Sequence, residues 1–268
     1  MTAFHVMAGP GDVVAHPGIR KIGVADVFDA LRLGFEDFRT KPSHYAFLCL
    51  IYPIAGVVLA TWSSGVDMLP ILYPLASGFA LLGPVAAIGL YEISRRREQG
   101  LDTSWRHAFD VRHSPALPAI LVVAAMLLIL FVAWLIVAQA LYVRFLGEVP
   151  PASLSAFMSG IVGTEAGIGL ILVGNAVGFV FAAVVLATVV VSFPLLLDRD
   201  VGAVSAVETS IRATLANPVP VAVWGLVVAA GLLLGSLPVF IGLIVVMPIL
   251  GHATWHLYRK MVEPEQIG

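Results

Sequence analysis

The stretch LPILYPLASGFALLGPVAAIGLYEISRRREQG, Leu69 to Gly100, decides the fold class. From Leu69 to Ile93 it carries a single charged side chain, Glu92, and then Arg95, Arg96 and Arg97 follow almost at once. An apolar segment of this length matches the ~20 residues a helix needs to cross a bilayer core of about 30 Å. Arginines clustered directly behind such a segment mark its cytoplasmic end, because basic residues are retained on the inner side during insertion.

The rest of the chain agrees. It has 268 residues, 59% hydrophobic and only 12% charged, where globular domains carry about a quarter charged residues. That much apolar surface requires lipid as its solvent. Apolar runs place six spans at about 45–61, 69–93, 116–141, 167–197, 219–235 and 238–256. With this layout every one of the 15 Lys and Arg residues except Arg144 falls on one side, and both termini are cytoplasmic. The first 40 residues lack the basic-then-apolar order of a cleavable signal, so the first span is expected to serve as an uncleaved insertion signal.

Two runs need interpretation. Gly167 to Leu197 would extend about 45 Å as a helix, longer than the hydrocarbon core, so it tilts, projects or breaks near Pro194. The run from Val219 to Leu250 is interrupted by Gly235-Ser236-Leu237-Pro238 and reads as two spans. A single tilted helix is the other reading there. Residues 1–23 have no periodicity and read as a mobile cytoplasmic tail, 24–263 as the six-span domain, and 264–268 as a second cytoplasmic tail.

Between Val24 and Arg39, apolar Val24, Val27, Phe28, Leu31, Phe35 and Phe38 recur at steps of three and four. This is the period of an amphipathic helix lying on the inner surface or against the bundle. The segment ALRLGFEDFRTKP, Ala30 to Pro42, lies over AVETSIRATLANP, Ala206 to Pro218, without a gap. In both, a proline follows an amphipathic helix and opens an odd-numbered span, so Lys41 and Asn217 mark the corner into the membrane. A shorter version occurs at Ser104 to Pro115. The even spans share Gly83-Pro84, Phe193-Pro194 and Met247-Pro248 near their inner ends, where kinks are expected. Three surface-helix-plus-hairpin units account for this pattern, and chance similarity of short apolar segments is the competing account. The fold class is an all-α polytopic membrane bundle with six transmembrane helices and cytoplasmic amphipathic helices.

Candidate sites are few. No Asp, Glu, Lys, Arg or His lies deep within a span, which argues against a proton path through a buried carboxylate. Asn175 sits beside Gly174 and Gly178, a small-residue spacing that favours close helix packing, with a solute contact as the second reading. His252 and His256 lie one turn apart and would present two imidazoles to one metal, but no Glu, Asp or Cys accompanies them. Next to Trp255 and Tyr258 they read as interfacial residues. Arg95, Arg96 and Arg97 orient the protein and are the expected contacts for anionic lipid heads or a partner. The lone Cys49 excludes an intrachain disulfide, and no block of charge suits nucleic acid. No phosphate-binding glycine loop, nucleophile constellation or paired carboxylates occur, so neither an enzyme nor a cofactor is expected.

The blocks GFALLGPVAAIGLYEISRRREQG (Gly78 to Gly100), FPLLLDRDVGAVSAVETSIRATLANP (Phe193 to Pro218) and PILGHATWHLYRK (Pro248 to Lys260) together resemble the bacterial "domain of unknown function 2189" family of predicted integral membrane proteins. Its markers here are Gly89-Leu90-Tyr91-Glu92, Pro194 followed by Asp198, and Gly251-His252 followed by Trp255 and Tyr258. The resemblance implies a multi-pass protein of the bacterial inner membrane and carries no activity with it. Two function classes remain: a non-catalytic component that binds other membrane proteins or lipids, and a transporter or channel for an uncharged or apolar solute.

Overall fold

The computed structural model describes residues 17–41, 69–238 and 240–264. The first expected span, about 45–61, lies outside the described residues together with Cys49, His44 and Pro42. Among the described residues the chain is helical, with no strand beyond a single antiparallel bridge between Ile19 and Val262.

Four helical stretches are long and apolar enough to cross a membrane: Leu69–Glu98, Leu117–Leu146, Glu165–Asp198 and Pro218–Ser236. They coincide with the second to fifth spans read from the sequence. The final helix, Leu243–Met261, is not among them. Its second half carries His252, His256, Arg259 and Lys260, which leaves a short apolar portion.

The helices, in chain order, are α1 (Val24–Thr40), α2 (Leu69–Phe79), α3 (Gly83–Ala86), α4 (Ile88–Glu98), α5 (Leu117–Leu146), α6 (Leu154–Gly163), α7 (Glu165–Val189), α8 (Ser192–Asp198), α9 (Ala203–Ala216), α10 (Pro218–Ser236) and α11 (Leu243–Met261). A 3-10 turn, Ala80–Leu82, joins α2 to α3, and a longer 3-10 segment, Trp105–His113, precedes α5.

Local chemistry explains the interruptions. The break expected near Pro194 falls at Val190–Val191, between α7 and α8. There the Ser210 hydroxyl inserts into the helical ladder, donating to the Ala187 carbonyl at 2.8 Å and accepting from the Val191 amide at 3.4 Å. A side chain placed between an i carbonyl and its i+4 amide is an established cause of a kink, and Pro194 removes the next donor but two. The stretch through Pro84 is likewise divided into α2, α3 and α4, whereas α11 runs uninterrupted through Pro248. Gly235-Ser236-Leu237-Pro238 ends α10 and separates it from α11.

The segment between the third and fourth expected spans, Tyr142 to Ala166, is largely helical. α5 continues to Leu146, and α6 occupies Leu154–Gly163. Ser153 caps α6 by accepting from the Ala156 amide at 3.1 Å. Thr164 then turns the corner, donating to the Gly160 carbonyl at 2.7 Å and accepting from the Gly167 amide at 2.9 Å, and Glu165 begins α7. The capping serine is the signal that composition alone obscured.

The chain divides into two units, one comprising Met1–Pro53, Pro84–Ala125 and Leu186–Gly268, the other Ile54–Gly83 and Met126–Val185. In the second unit Trp134 of α5 is the packing centre. Its indole N–H donates to the Pro74 carbonyl at 2.8 Å, and its ring lies 5.7 Å from that of Phe181. A Cβ at Gly78 would come within 2.6 Å of this ring and one at Gly178 within 3.1 Å, so both glycines exist to admit the indole.

In the first unit α4, α8 and α11 pack on one another. Outside them lie three peripheral elements: α1 against α11, the 3-10 segment against α4, and α9 against α8. The 3-10 segment and α9 each pack on the helix that precedes them in the chain, and α1 packs on the last helix. The contacts are close. A Cβ on Gly34 would lie 2.5 Å from the Ala253 amide nitrogen, and one on Gly89 would lie 2.9 Å from Ala108. Residues 18–23, grouped by composition with a mobile tail, are pinned to the end of α11. The Arg20 amide donates to the Met261 carbonyl at 2.8 Å, and the Glu263 amide donates to the Gly18 carbonyl at 2.9 Å.

Several positions of the α1–α9 overlay share their burial. Val27, Ala30, Gly34 and Asp37 are buried, as are Ala203, Ala206, Ser210 and Ala213 at the equivalent positions. Phe28, Arg32, Phe35, Glu36 and Arg39 are exposed, as are Val204, Glu208, Ile211, Arg212 and Leu215. Lys41 and Asn217 leave the helix with φ −143°, ψ 59° and φ −133°, ψ 53°. The correspondence is not complete: Ser205 and Thr209 are buried, whereas Asp29 and Leu33 at the equivalent positions are half-buried.

Candidate functional site

The three arginines of α4 point in three directions, because successive residues of a helix are rotated by about 100°. Arg95 forms a bidentate pair with Glu92, one turn back, at 2.7 and 2.8 Å. Arg96 donates to the Asp102 carbonyl at 2.7 Å and lies 3.7 Å from the Asp110 carboxylate in the 3-10 segment. Arg97 reaches α1, placing Nε 3.1 Å from Asp37 and donating to the Thr40 hydroxyl at 2.8 Å. Each of the three arginines thus has a partner within the protein, and Arg97 is also exposed.

Asp37 is the centre of a buried polar cluster that the sequence did not reveal. It is 5% exposed on α1 and receives the Ser94 hydroxyl at 2.8 Å and His256 Nε2 at 2.9 Å. Ser94 Oγ also lies 2.8 Å from His252 Nδ1. With the hydroxyl proton directed to Asp37, the serine oxygen accepts from that imidazole. Burial acts to raise the Asp37 carboxyl, but the hydrogen bond from His256, the two imidazoles and the Ser94 hydroxyl outweigh it and hold it below the usual carboxylate range. The cluster is a serine, a histidine and an aspartate in a different order from a hydrolase: the carboxylate contacts the serine, not the far imidazole nitrogen, and Ser94 is buried.

His252 and His256, read as interfacial, belong to this interior. His252 is 0% exposed, and its neighbours Trp255 and Tyr258 are buried too. The cause is tertiary: α1 and α4 cover the face of α11 that the sequence leaves open. Among the described residues no group of three His, Cys, Asp or Glu side chains is placed to hold a metal ion.

A second polar cluster joins α4, α8 and α11. Arg259 of α11 lies 2.9 Å from Glu98 of α4 and 3.3 Å from Asp198 of α8. The Trp255 indole donates to Glu98 at 3.0 Å, and the Tyr258 hydroxyl donates to Asp198 at 2.5 Å. At the edge, Lys260 pairs with Asp29 at 2.8 Å and Asp26 at 3.4 Å on α1. The hydrogen bond from Lys260, with help from Arg32, brings the Asp29 carboxyl down to about 2. A cleft of about 360 Å³ beside this cluster is lined by Arg95, Arg96 and Arg199 and by Glu92, Asp110, Asp198 and Asp200. Its carboxylates outnumber its guanidiniums, so it has no excess positive charge with which to select an anion.

The remaining sequence candidates lie in the second unit. Asn175 donates to the Ile171 carbonyl of its own helix at 2.7 Å and accepts from the Tyr73 hydroxyl at 2.8 Å. Gly178 packs on Trp134, whereas a Cβ on Gly174 would meet only Leu170 of the same helix.

Long apolar helices, with charge confined to their ends and spent in pairs between helices, define an integral membrane protein. Residues 72–198 match the model of a family described as "Predicted integral membrane protein (DUF2189)". No curated protein and no solved structure matches the chain. Gly89 and Asp198 lie within the matched stretch, where Gly89 admits the 3-10 segment and Asp198 accepts from the Tyr258 hydroxyl; Gly251, His252, Trp255 and Tyr258, which the sequence reading grouped with them, lie beyond it.

Proposed function

We propose that the protein is a non-catalytic component of the bacterial inner membrane, working by contact with other membrane proteins or lipids to support their assembly or organisation. The observation that carries this reading is the distribution of charge. Leu69–Tyr91, Leu117–Val143, Gly167–Leu197 and Pro218–Ser236 contain no charged side chain. The inner-end charges, Glu92, Asp198, Glu98, Arg95, Arg97 and Arg259, are paired with one another or with α1. A reaction or an ion path needs polar groups held ready for something else, and groups already paired supply stability instead. In this reading six spans cross the membrane, α1 and α9 lie on the cytoplasmic side, and both termini are cytoplasmic.

The test is purification in mild detergent with identification of bound proteins and lipids. Recovery of a stoichiometric partner or a selected lipid supports the reading, and protein that repeatedly purifies alone with bulk lipid composition counts against it. The second reading, passage of an uncharged solute, draws on the Tyr73–Asn175 hydrogen bond, a polar pair within otherwise apolar helices. Solute flux in reconstituted vesicles that is lost in Asn175→Leu would favour it.

A further inference from the structure

We propose that the outward faces of α1 and α9 are seated in the boundary between phospholipid headgroups and acyl chains, so that lipid covers Phe28 and Phe35 on one helix and Val204, Ile211 and Leu215 on the other. The proposal rests on the membrane reading above and goes further by assigning these helices a depth and an occupant.

Each helix has a buried inner face and an outer face that mixes large apolar with charged side chains, Arg32 and Glu36 lying beside Phe28 and Phe35, and Glu208 and Arg212 beside Val204 and Ile211. The inner one packs on α11 or α8, and the outer one carries large exposed apolar side chains at equivalent positions, Phe28 with Val204 and Phe35 with Ile211. A helix between protein and water carries few large apolar side chains on its outer side, whereas one in the interfacial plane sets such side chains among lipids and its charged ones among headgroups. Continuity of the chain sets the depth. Asn217 alone separates α9 from α10, an apolar helix that enters the hydrocarbon, so Leu215 lies at the level of entry. α1 is tied to the same corner: the Asn217 side chain accepts from the Ile22 amide at 2.8 Å and donates to the Arg20 carbonyl at 3.0 Å.

The flanking charge suits headgroups. The Arg39 guanidinium lies 5.8 Å from the centre of the Phe35 ring, and Arg212 adjoins Ile211 at the exposed edge of α9. An arginine in such a place keeps its charge among phosphates while its stem and the neighbouring apolar side chain lie deeper. Because Asp29, Glu36 and Glu208 share these helices, the fit is to phospholipid in general and does not demand an anionic species.

The experiment uses the full chain with Cys49→Ala and single nitroxide labels at Phe28→Cys, Val204→Cys or Ile211→Cys, with Arg106→Cys as the water-exposed reference. Each is reconstituted in phosphatidylcholine–phosphatidylglycerol vesicles, and collision with oxygen is compared with collision with a water-soluble nickel chelate. The expected result is severalfold lower nickel accessibility than the reference with oxygen accessibility maintained, at a depth of about 5–10 Å. Nickel accessibility equal to the reference at Phe28 and Val204 overturns the proposal. Shielding from both reagents also overturns it, because protein would then cover the faces. The vesicles contain no other protein, so the depth result is independent of whether copurification finds a partner; failure of either reading can be seen without the other.

Discussion

Asp37 and His256 meet at 2.9 Å from helices 219 residues apart in sequence, and this contact ties α1 to α11. The same carboxylate holds Ser94 and Arg97 of α4, so one side chain joins three helices. An arrangement of this kind contributes specificity as well as stability, because every member loses a partner when the carboxylate is removed.

Asp37→Ala is expected to destabilise the protein by about 3–5 kcal/mol, the usual cost of leaving buried partners without their counter-charge. Thermal unfolding in mild detergent measures it. Glu36→Ala, one residue away on the exposed side, is expected to change stability by about 0.5 kcal/mol or less. Equal effects of the two substitutions would refute the assignment of Asp37 as the joint.

The Asp37 carboxyl is held below its ordinary range, so its contribution has a definite sign with pH. A carboxyl depressed in the folded state stabilises the protein above its unfolded pKa, and the stabilisation is lost as pH falls through the folded value. The difference in melting temperature between the native protein and Asp37→Asn should therefore be full at neutral pH and shrink on acidification below about pH 4. A difference that stays constant down to strongly acid pH would show that the carboxylate charge plays no part.

Gly34 and Gly83 make a matched pair of controls. A Cβ on Gly34 would lie 2.5 Å from the α11 backbone, whereas one on Gly83 would meet nothing within 4 Å. Gly34→Ala is expected to cost about 1–3 kcal/mol through overpacking. Gly83→Ala is expected to be neutral or slightly stabilising, since alanine is the better helix former. Comparable melting temperatures for the two variants would mean that α1 does not sit this close to α11.

Ser210→Ala removes the hydroxyl between the Ala187 carbonyl and the Val191 amide. The expected cost is about 1–3 kcal/mol, the penalty for buried backbone groups left without a partner. Ser210→Thr, which keeps the hydroxyl, should recover part of it. No difference between the alanine and threonine variants would place the cause of the break elsewhere.

Topology is tested by cysteine labelling. In a Cys49→Ala background, Ser236→Cys is expected to react with a membrane-impermeant reagent applied from outside intact cells, and Arg106→Cys only after permeabilisation. Reaction of Ser236→Cys solely from the cytoplasmic side would overturn the division of the last apolar run.

The amino-acid sequence by itself determined the solvent and the periodicity of this protein. Apolar runs such as Leu117 to Val143 cannot be placed in water, and their length suits helices that cross a bilayer. The corner at Asn217 was legible because proline restricts the residue before it, and the α1–α9 overlay was legible because both helices share their burial at several positions. Only the tertiary structure decided the fate of the polar residues. His252 looks like an interface group along the chain, since a sequence shows which residue types sit at a helix end but not which helix arrives to cover them. Asp37 reads as one more charge on an amphipathic wheel. It becomes the joint of three helices because Gly34, one turn earlier, lets α1 approach α11 closely enough for its carboxylate to enter the interior, and that approach is made between residues more than 200 positions apart.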